Sequence, residues 1–150
     1  MNSRLSTSAA TQENVAVTVV VPAYNAERFI ERTLRTIIAQ QGINFEVIVV
    51  NDGSTDSTED FASSVLGSSQ NSATFSRIIR IENSGVSSAR NTGLISARGE
   101  YVIFFDSDDL MSEDCLSSVY RKARETQADV LAFGFDVVDW SGKIVRRFED

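Results

Sequence analysis

Residues 15–50, VAVTVVVPAYNAERFIERTLRTIIAQQGINFEVIVV, decide the fold of this chain. The β-branched run at 15–22 stops at Pro22, which is typical of a strand buried on both faces. The next segment predicts a helix, with Asn25 as its N-cap and Gly42 beyond its end. Its apolar residues recur at helical spacing: Phe29, Ile30, Leu34, Ile37 and Ile38. FEVIVV, residues 45–50, predicts a second strand, so the stretch forms a strand, a helix and a strand.

The same alternation continues toward the end of the chain. A helix is predicted over 56–66, a strand over 75–81 (FSRIIRI), a helix over 84–99, a strand over 100–105 (EYVIFF), a helix over 112–126 capped by Ser112, and strands over 129–138 and 143–148. The last two strands predict a hairpin with Ser141 and Gly142 in its turn. Strands alternating with helices imply right-handed crossovers. We therefore predict an α/β fold with a mostly parallel sheet, helices on both faces (Rossmann-like) and a terminal β-hairpin.

Composition excludes several classes of protein. The 150 residues carry a net charge of −7, which argues against nucleic acid as the main partner. The absence of histidine removes the usual general base and the commonest zinc ligand. The single cysteine, Cys115, excludes an internal disulfide and a Cys/His metal cluster, and it fits a reducing cytoplasm. At helical spacing it is expected to be a small core residue.

The chain is expected to form one ordered region. Residues 1–14 are polar and predict a disordered tail, while residues 15–150 have the composition of a globular domain. The tail lacks the apolar core of a signal peptide, and no later run approaches the length of a membrane span. Location in the cytoplasm follows as an expectation.

Three polar segments come directly after strands: PAYN, NDGS and DSDD. In open parallel sheets, ligands bind outside the carboxyl ends of the strands. Asp106 and Asp108 are two positions apart just past a strand, so both carboxylates can turn toward one hard cation, Mg²⁺ or Mn²⁺. Such a cation would neutralise a bound diphosphate. The alternative is that Asp109 and its neighbours cap the next helix, which leaves Asp106 and Asp108 unexplained.

The other candidates each have two interpretations. Tyr24 could stack on a flat base or be a half-buried core tyrosine. Asp52 could accept hydrogen bonds from a base edge or belong to an Asp-Gly turn. Arg90 could bind phosphate or be a solvated helix charge. Trp140 could cover the hairpin or stack on a sugar ring.

Taken together, VVVPAYNAERFIERTLRTIIAQ, FEVIVVNDGSTDST and ENSGVSSARNTGLISARGEYVIFFDSDD closely resemble the family 2 inverting glycosyltransferases with the GT-A fold. The likeness runs from about Val17 to about Phe135. It implies transfer of a sugar from a nucleotide diphosphate, usually UDP, to an acceptor hydroxyl with inversion. The acceptor is expected to be a saccharide or lipid-linked, in which case the enzyme would work at the cytoplasmic face of a membrane.

The resemblance also assigns roles in the nucleotide-sugar site. Pro22, Tyr24 and Asn25 would border the base, and Asp52 would hydrogen-bond its edge. The ARN stretch, with Arg90 and Asn91, would support this pocket. The cation, Mn²⁺ or Mg²⁺, would be held by Asp108, with Asp106 contacting both the ribose and the metal site. These relatives can carry an acidic residue after the YN pair, where this chain has Ala26.

The general base that inversion requires is expected beyond residue 150, in an acceptor-side half that this chain lacks. Asp136 and Asp139, near Trp140, are the acidic alternatives for the base, and solvation of the hairpin explains these two residues at least as well. Two other functions stay open. One is a non-catalytic nucleotide-sugar-binding module. The other is a phosphatase of the haloacid dehalogenase type, which also places Asp-x-Asp after an apolar strand.

Overall fold

The computed structural model describes residues 14–139 and 141–148. Its elements are β1 Val17–Ala23, α1 Ile30–Ile38, β2 Phe45–Asp52, α2 Thr58–Leu66, β3 Phe75–Ile81, α3 Val86–Ser96, β4 Tyr101–Phe104, α4 Cys115–Thr126, β5 Phe135–Val138 and β6 Ile144–Phe148. The predicted tail lies outside the described residues except for Asn14, and Trp140 lies outside them as well. None of the helices in the described part combines the length and hydropathy that a membrane span requires.

Four strands form a parallel sheet in the order β3, β2, β1, β4. Every residue of β1 and β2 is buried, as their β-branched sequences predict. Strand β4 forms within the predicted range 100–105, but it lies at one edge of this sheet and is only half-buried. An apolar run specifies a strand, but burial depends on neighbours that the run does not encode.

Helices cover both faces of the sheet, which confirms the predicted α/β architecture. On one face, side chains of α1, α2 and α4 pack against alternate residues of β1 and β2; Leu34, Ala62 and Leu116 are examples. On the other face, α3 packs against Val20 and Ile48. A Cβ atom at Gly93 in α3 would lie 2.2 Å from Cγ1 of Val20, so glycine is needed for this close contact.

Two predicted helix caps are wrong. Helix α1 begins at Ile30 with Phe29 at its N-cap, because Asn25 adopts a left-handed conformation (φ 47°) and its side chain bonds to Thr55. Helix α4 begins at Cys115 with Asp114 at its N-cap, in place of the predicted Ser112. In both cases a polar side chain from a distant segment contacts the loop in a way that the local pattern does not reveal.

The hairpin of β5 and β6 forms a separate two-stranded sheet. Strand β5 begins six residues later than predicted, at Phe135 instead of position 129, and its pairing with β6 is irregular at Val137 and Val138. Ser141 and Gly142 lie in the turn as predicted, where the Asp139 carboxylate accepts hydrogen bonds from the backbone of Ser141 and Lys143.

Candidate functional site

The carboxyl ends of β1, β2 and β4 open into one crevice of about 490 Å³. Because β1 lies between β2 and β4, the segments that follow these three strands meet at one edge of the sheet. The crevice lining includes most of the residues predicted for the donor and metal, although not Asn91, which is exposed on α3; those in the lining are Pro22, Tyr24, Asn25, Asp52, Arg90, Asp106 and Asp108. It also includes Phe29, Asn83, Gly85 and Val86, among others, which sequence reasoning did not select.

The loop after β4, which we call the acidic loop, carries three carboxylates: Asp106, Asp108 and Asp109. Asp106 is about half exposed and pairs with Arg90, whose Nη2 donates a 2.7 Å hydrogen bond to Asp106 Oδ1. Burial, followed by the nearby charges of Asp108 and Asp106, raises the pKa of Asp109. The loop is therefore an electronegative segment in which one guanidinium neutralises one of three acids.

The donor set fits a divalent cation that shares its ligands with a bound anion. Carboxylate oxygens are the ligands that Mg²⁺ and Mn²⁺ prefer, and such ions commonly retain waters and bind substrate phosphates. Among residues 14–139 and 141–148 no group of three or more Asp, Glu, His or Cys side chains is placed to hold a metal ion by itself. Asp106 and Asp108 could thus supply only part of a coordination shell.

Asp52 holds the beginning of α3 against the crevice. Asp52 is only 3% exposed, and its carboxylate accepts hydrogen bonds from the backbone N–H of Ser84 (2.8 Å) and Gly85 (2.9 Å). Each oxygen retains a second lone pair for a ligand. The adjoining Gly53 has a φ of 71°, and a Cβ atom there would lie 2.8 Å from the backbone nitrogen of Asn83. Asp52 therefore has a structural task besides the predicted contact with a base.

The loop that carries Tyr24 is fastened to the loop after β2. We call these contacts the loop latch: residues 25–27 bonded to residues 54–58. Its hydrogen bonds run from Asn25 N to Ser54 Oγ (3.1 Å), Thr55 N to Asn25 Oδ1 (2.9 Å), Ala26 N to Thr58 Oγ1 (2.7 Å), Glu27 N to Asp56 Oδ2 (3.1 Å) and Ser57 N to Glu27 Oε2 (3.1 Å). Tyr24 next to the latch stays 51% exposed, which leaves its ring accessible from the crevice.

Charge contributes to this latch. Burial raises the pKa of Asp56, but the hydrogen bonds that its carboxylate accepts from Thr58 and from the Glu27 N–H outweigh burial, and the net effect lowers that pKa. Glu27 and Asp56 were not predicted as important residues. The Asp and Ser residues of NDGSTDST indicated a turn, but nothing local showed that their partners lie about 30 residues away.

The remaining candidates lie outside the crevice lining. Cys115 packs beside the core, and burial, followed by the charge of Asp114, raises the pKa of its thiol, in agreement with its interpretation as a core residue. Asp136 accepts hydrogen bonds from Arg147, and Asp139 organises the hairpin turn. These contacts lower the pKa of both carboxylates. Hairpin structure thus accounts for the two acids that the sequence offered as alternative bases.

Comparison with known proteins identifies the class. Residues 18–149 match the sequence profile of Glycosyl transferase family 2, so the chain belongs to that family. It is 43% identical over 116 residues to the glycosyltransferase GlyA of Streptococcus pneumoniae, a match that covers 76% of this chain and 16% of GlyA. It is 37% identical over 119 residues to the uncharacterized glycosyltransferase EpsJ of Bacillus subtilis, covering 79% of this chain and 33% of EpsJ.

Solved structures show the same fold. Residues 1–349 of S. aureus TarS in complex with UDP-GlcNAc match with a TM-score of 0.69 and 31% identity, over 77% of this chain and 33% of that one. The mannosyltransferase PcManGT of Pyrobaculum calidifontis, in complex with GDP-Man and Mn²⁺, matches with a TM-score of 0.67 and 30% identity, over 85% of this chain and 36% of that one. The predicted GT-A fold is confirmed, and the chain spans about a third of the length of these two structures.

Proposed function

We propose that this chain binds a nucleoside diphosphate sugar, most readily a UDP-sugar, together with Mn²⁺ or Mg²⁺, for transfer of the sugar to an acceptor hydroxyl with inversion. The observation that carries the proposal is the meeting of PAYN, NDGS and DSDD residues in one crevice beside α3. Family membership and the nucleotide-sugar complexes of TarS and PcManGT support it. They favour it over the phosphatase alternative, which the family match does not support.

Each residue of the crevice has a proposed task. The ring of Tyr24 provides a flat surface for the base, while Asp52 accepts a hydrogen bond from the base edge with a lone pair not used by Ser84 or Gly85. Asp106 and Asp108 hold the divalent cation, which neutralises the diphosphate and so makes it a better leaving group. Arg90, already directed at Asp106, offers its guanidinium to a phosphate oxygen.

Donor binding and sugar transfer make different demands on the chain. All the residues proposed for the donor lie before position 110, whereas transfer also requires an acceptor site and a base that removes the hydroxyl proton. The acids that line the crevice, Asp52, Asp106 and Asp108, are already assigned to the donor and the cation. This favours a second candidate function for the chain as given, that of a nucleotide-sugar-binding module without turnover.

One pair of assays tests the proposal and separates the two functions. Titrating the chain with UDP, GDP and ADP in the presence of Mn²⁺ should show binding of nucleoside diphosphates, with UDP the tightest. UDP-sugars and a panel of saccharide and lipid-linked acceptors are then supplied, and released UDP is measured. Binding with release that depends on an acceptor supports the transferase, binding without release supports the module, and no binding of any diphosphate contradicts both.

A further inference from the structure

A polar row lies beneath the acidic loop, on the buried side of α1 and just past its end. Thr33 and Thr36 are in α1, Gln40 lies two residues beyond it, and we call these three residues the polar row. Thr33 is 0% exposed and Gln40 is 1% exposed, although both lie beside the apolar stripe that packs on the sheet. Burying polar groups costs free energy unless they are hydrogen-bonded, and threonine is a poor helix former. Both costs must be offset by the hydrogen bonds that these side chains make.

All three side chains bond to the segment that contains the acidic loop. The Thr33 hydroxyl donates to the Ser107 carbonyl (2.9 Å), and the Thr36 hydroxyl accepts from the Met111 N–H (3.0 Å). The Gln40 amide donates to the Ser112 carbonyl (2.6 Å), and its oxygen accepts from the first-turn N–H of Leu116 in α4 (3.0 Å). Gln40 thus fixes the beginning of α4, where Ser112 was expected to be the cap.

These contacts fix the part of the loop that carries the proposed metal ligands. Residues 105–114 connect β4 to α4 without regular structure. The Ser107 carbonyl belongs to the peptide unit that joins Ser107 to Asp108, so anchoring it sets the direction of the peptide plane that leads into Asp108. The carboxylates of Asp106 and Asp108 repel each other, and an unanchored loop would separate them. The anchors at Ser107 and Met111 stand on either side of Asp108 and Asp109.

The polar row holds the loop without neutralising it. Threonine and glutamine are uncharged, so the negative potential of Asp108 and Asp109 stays available to a cation. Lysine or arginine at these positions could supply only the donated hydrogen bonds, because neither side chain accepts one, and its charge would compete with the metal. The chemistry of the row therefore matches a loop that binds a cation, beyond what packing of α1 on α4 would require.

We propose that Thr33, Thr36 and Gln40 are positioning residues for divalent-cation binding by Asp106 and Asp108. This inference rests on the proposed function, since it assumes that the loop holds a cation together with a diphosphate. Supporting residues of this kind orient the ligands of a metal, and their loss commonly lowers metal affinity about 10- to 100-fold.

The test measures Mn²⁺ affinity directly, without an activity assay. The full chain with a fixed concentration of UDP is titrated with Mn²⁺, the free ion is followed by its electron paramagnetic resonance signal, and the same titration of UDP without protein corrects for Mn²⁺ held by free nucleotide. Thr33→Val keeps the branched shape but removes the hydroxyl, and Thr33→Ser restores it. The matched control is Thr18→Val, because Thr18 is equally buried (0% exposed) and its hydroxyl bonds to Glu46, away from the crevice lining.

We expect Thr33→Val to weaken Mn²⁺ binding about 10-fold or more, Thr33→Ser to restore most of it and Thr18→Val to leave it unchanged. Uridine, which has no phosphate, should bind equally to all variants in an NMR titration. If Thr33→Val does not fold, Thr36→Val, at a half-buried position, replaces it with the same expectation. Equal Mn²⁺ affinity in the folded polar-row variant and the unmodified chain overturns the inference alone. Absence of Mn²⁺ binding by the unmodified chain overturns the metal assignment and the inference together.

Discussion

The carboxylates of the crevice differ in the partners that hold them. Asp52 is buried and bonded to two backbone N–H groups, Asp106 is half exposed and paired with Arg90, and Asp108 is exposed. The family resemblance predicted ligand contacts for all three, while the sequence left an Asp-Gly turn as the alternative for Asp52. The surroundings show that Asp52 supports the fold as well as the proposed site, whereas Asp106 and Asp108 lie on the acidic loop.

Replacing Asp108 by asparagine should remove the gain in UDP affinity that Mn²⁺ provides. The loop would lose an anionic ligand, while repulsion within the loop would fall, so the free energy of unfolding without metal should stay the same or rise slightly. Calorimetric titration with and without Mn²⁺ measures the first effect, and thermal unfolding measures the second. Retention of the full Mn²⁺ effect in Asp108→Asn would remove this residue from the metal site.

Replacing Asp52 by asparagine should lower stability and uridine binding, effects that are not expected for Asp108→Asn. One carboxylate oxygen becomes an NH₂ group that cannot accept a hydrogen bond, so either Ser84 or Gly85 loses its partner at the start of α3. We expect a loss of stability of about 1–3 kcal/mol and weaker uridine binding whether or not metal is present. Asp60→Asn, at an exposed position of α2, is the control. Normal stability together with normal uridine binding in Asp52→Asn would contradict both tasks assigned to Asp52.

The loop latch joins the ends of β1 and β2 partly through the carboxylate of Asp56. Because the native pKa of Asp56 is lowered from its ordinary value of 3.8, the unfolded chain binds more protons than the native chain in that range. The stabilisation by this carboxylate is therefore present above that value and is lost as the pH falls through the native pKa.

The latch predicts a pH-dependent effect of Asp56→Asn. The variant should unfold at a lower temperature than the unmodified chain at about pH 7, and the difference should shrink as the pH falls below about 4. Thermal unfolding across this range measures the trend, with Asp60→Asn as a reference of the same charge change. A difference that stays constant with pH would show that Asp56 acts through its shape and not through its charge.

Local sequence patterns predicted the helices and strands better than the loops between them. Strands β1 to β3 and helix α2 lie within two residues of the predicted ranges at each end, because hydrophobic periodicity and turn residues are encoded locally. Loops resisted prediction, since Asn25 and the α4 cap depend on partners 30 and 76 residues away. The site follows the same rule. Most of the predicted residues that line the crevice lie at or just past the ends of strands, so their meeting there was predictable, whereas Asp56, Thr33 and Gln40 act through contacts that have no local pattern.

At the scale of the whole molecule, the charge of the chain opposes its proposed ligand. A protein with a net charge of −7 and an acidic loop in its crevice repels a nucleoside diphosphate. Arg90 is the arginine that lines the crevice in the described part of the chain, and it is already paired with Asp106. A divalent cation at the loop would convert this repulsion into attraction, so donor binding should depend on metal.

Calorimetric titration of the unmodified chain with UDP, first with Mn²⁺ and then with excess EDTA, tests that dependence most directly. We expect clear UDP binding with Mn²⁺ and loss of nearly all UDP binding in EDTA, while uridine binds alike in both. Equal UDP affinity with and without Mn²⁺ would show that Asp106 and Asp108 do not bind the diphosphate through a cation.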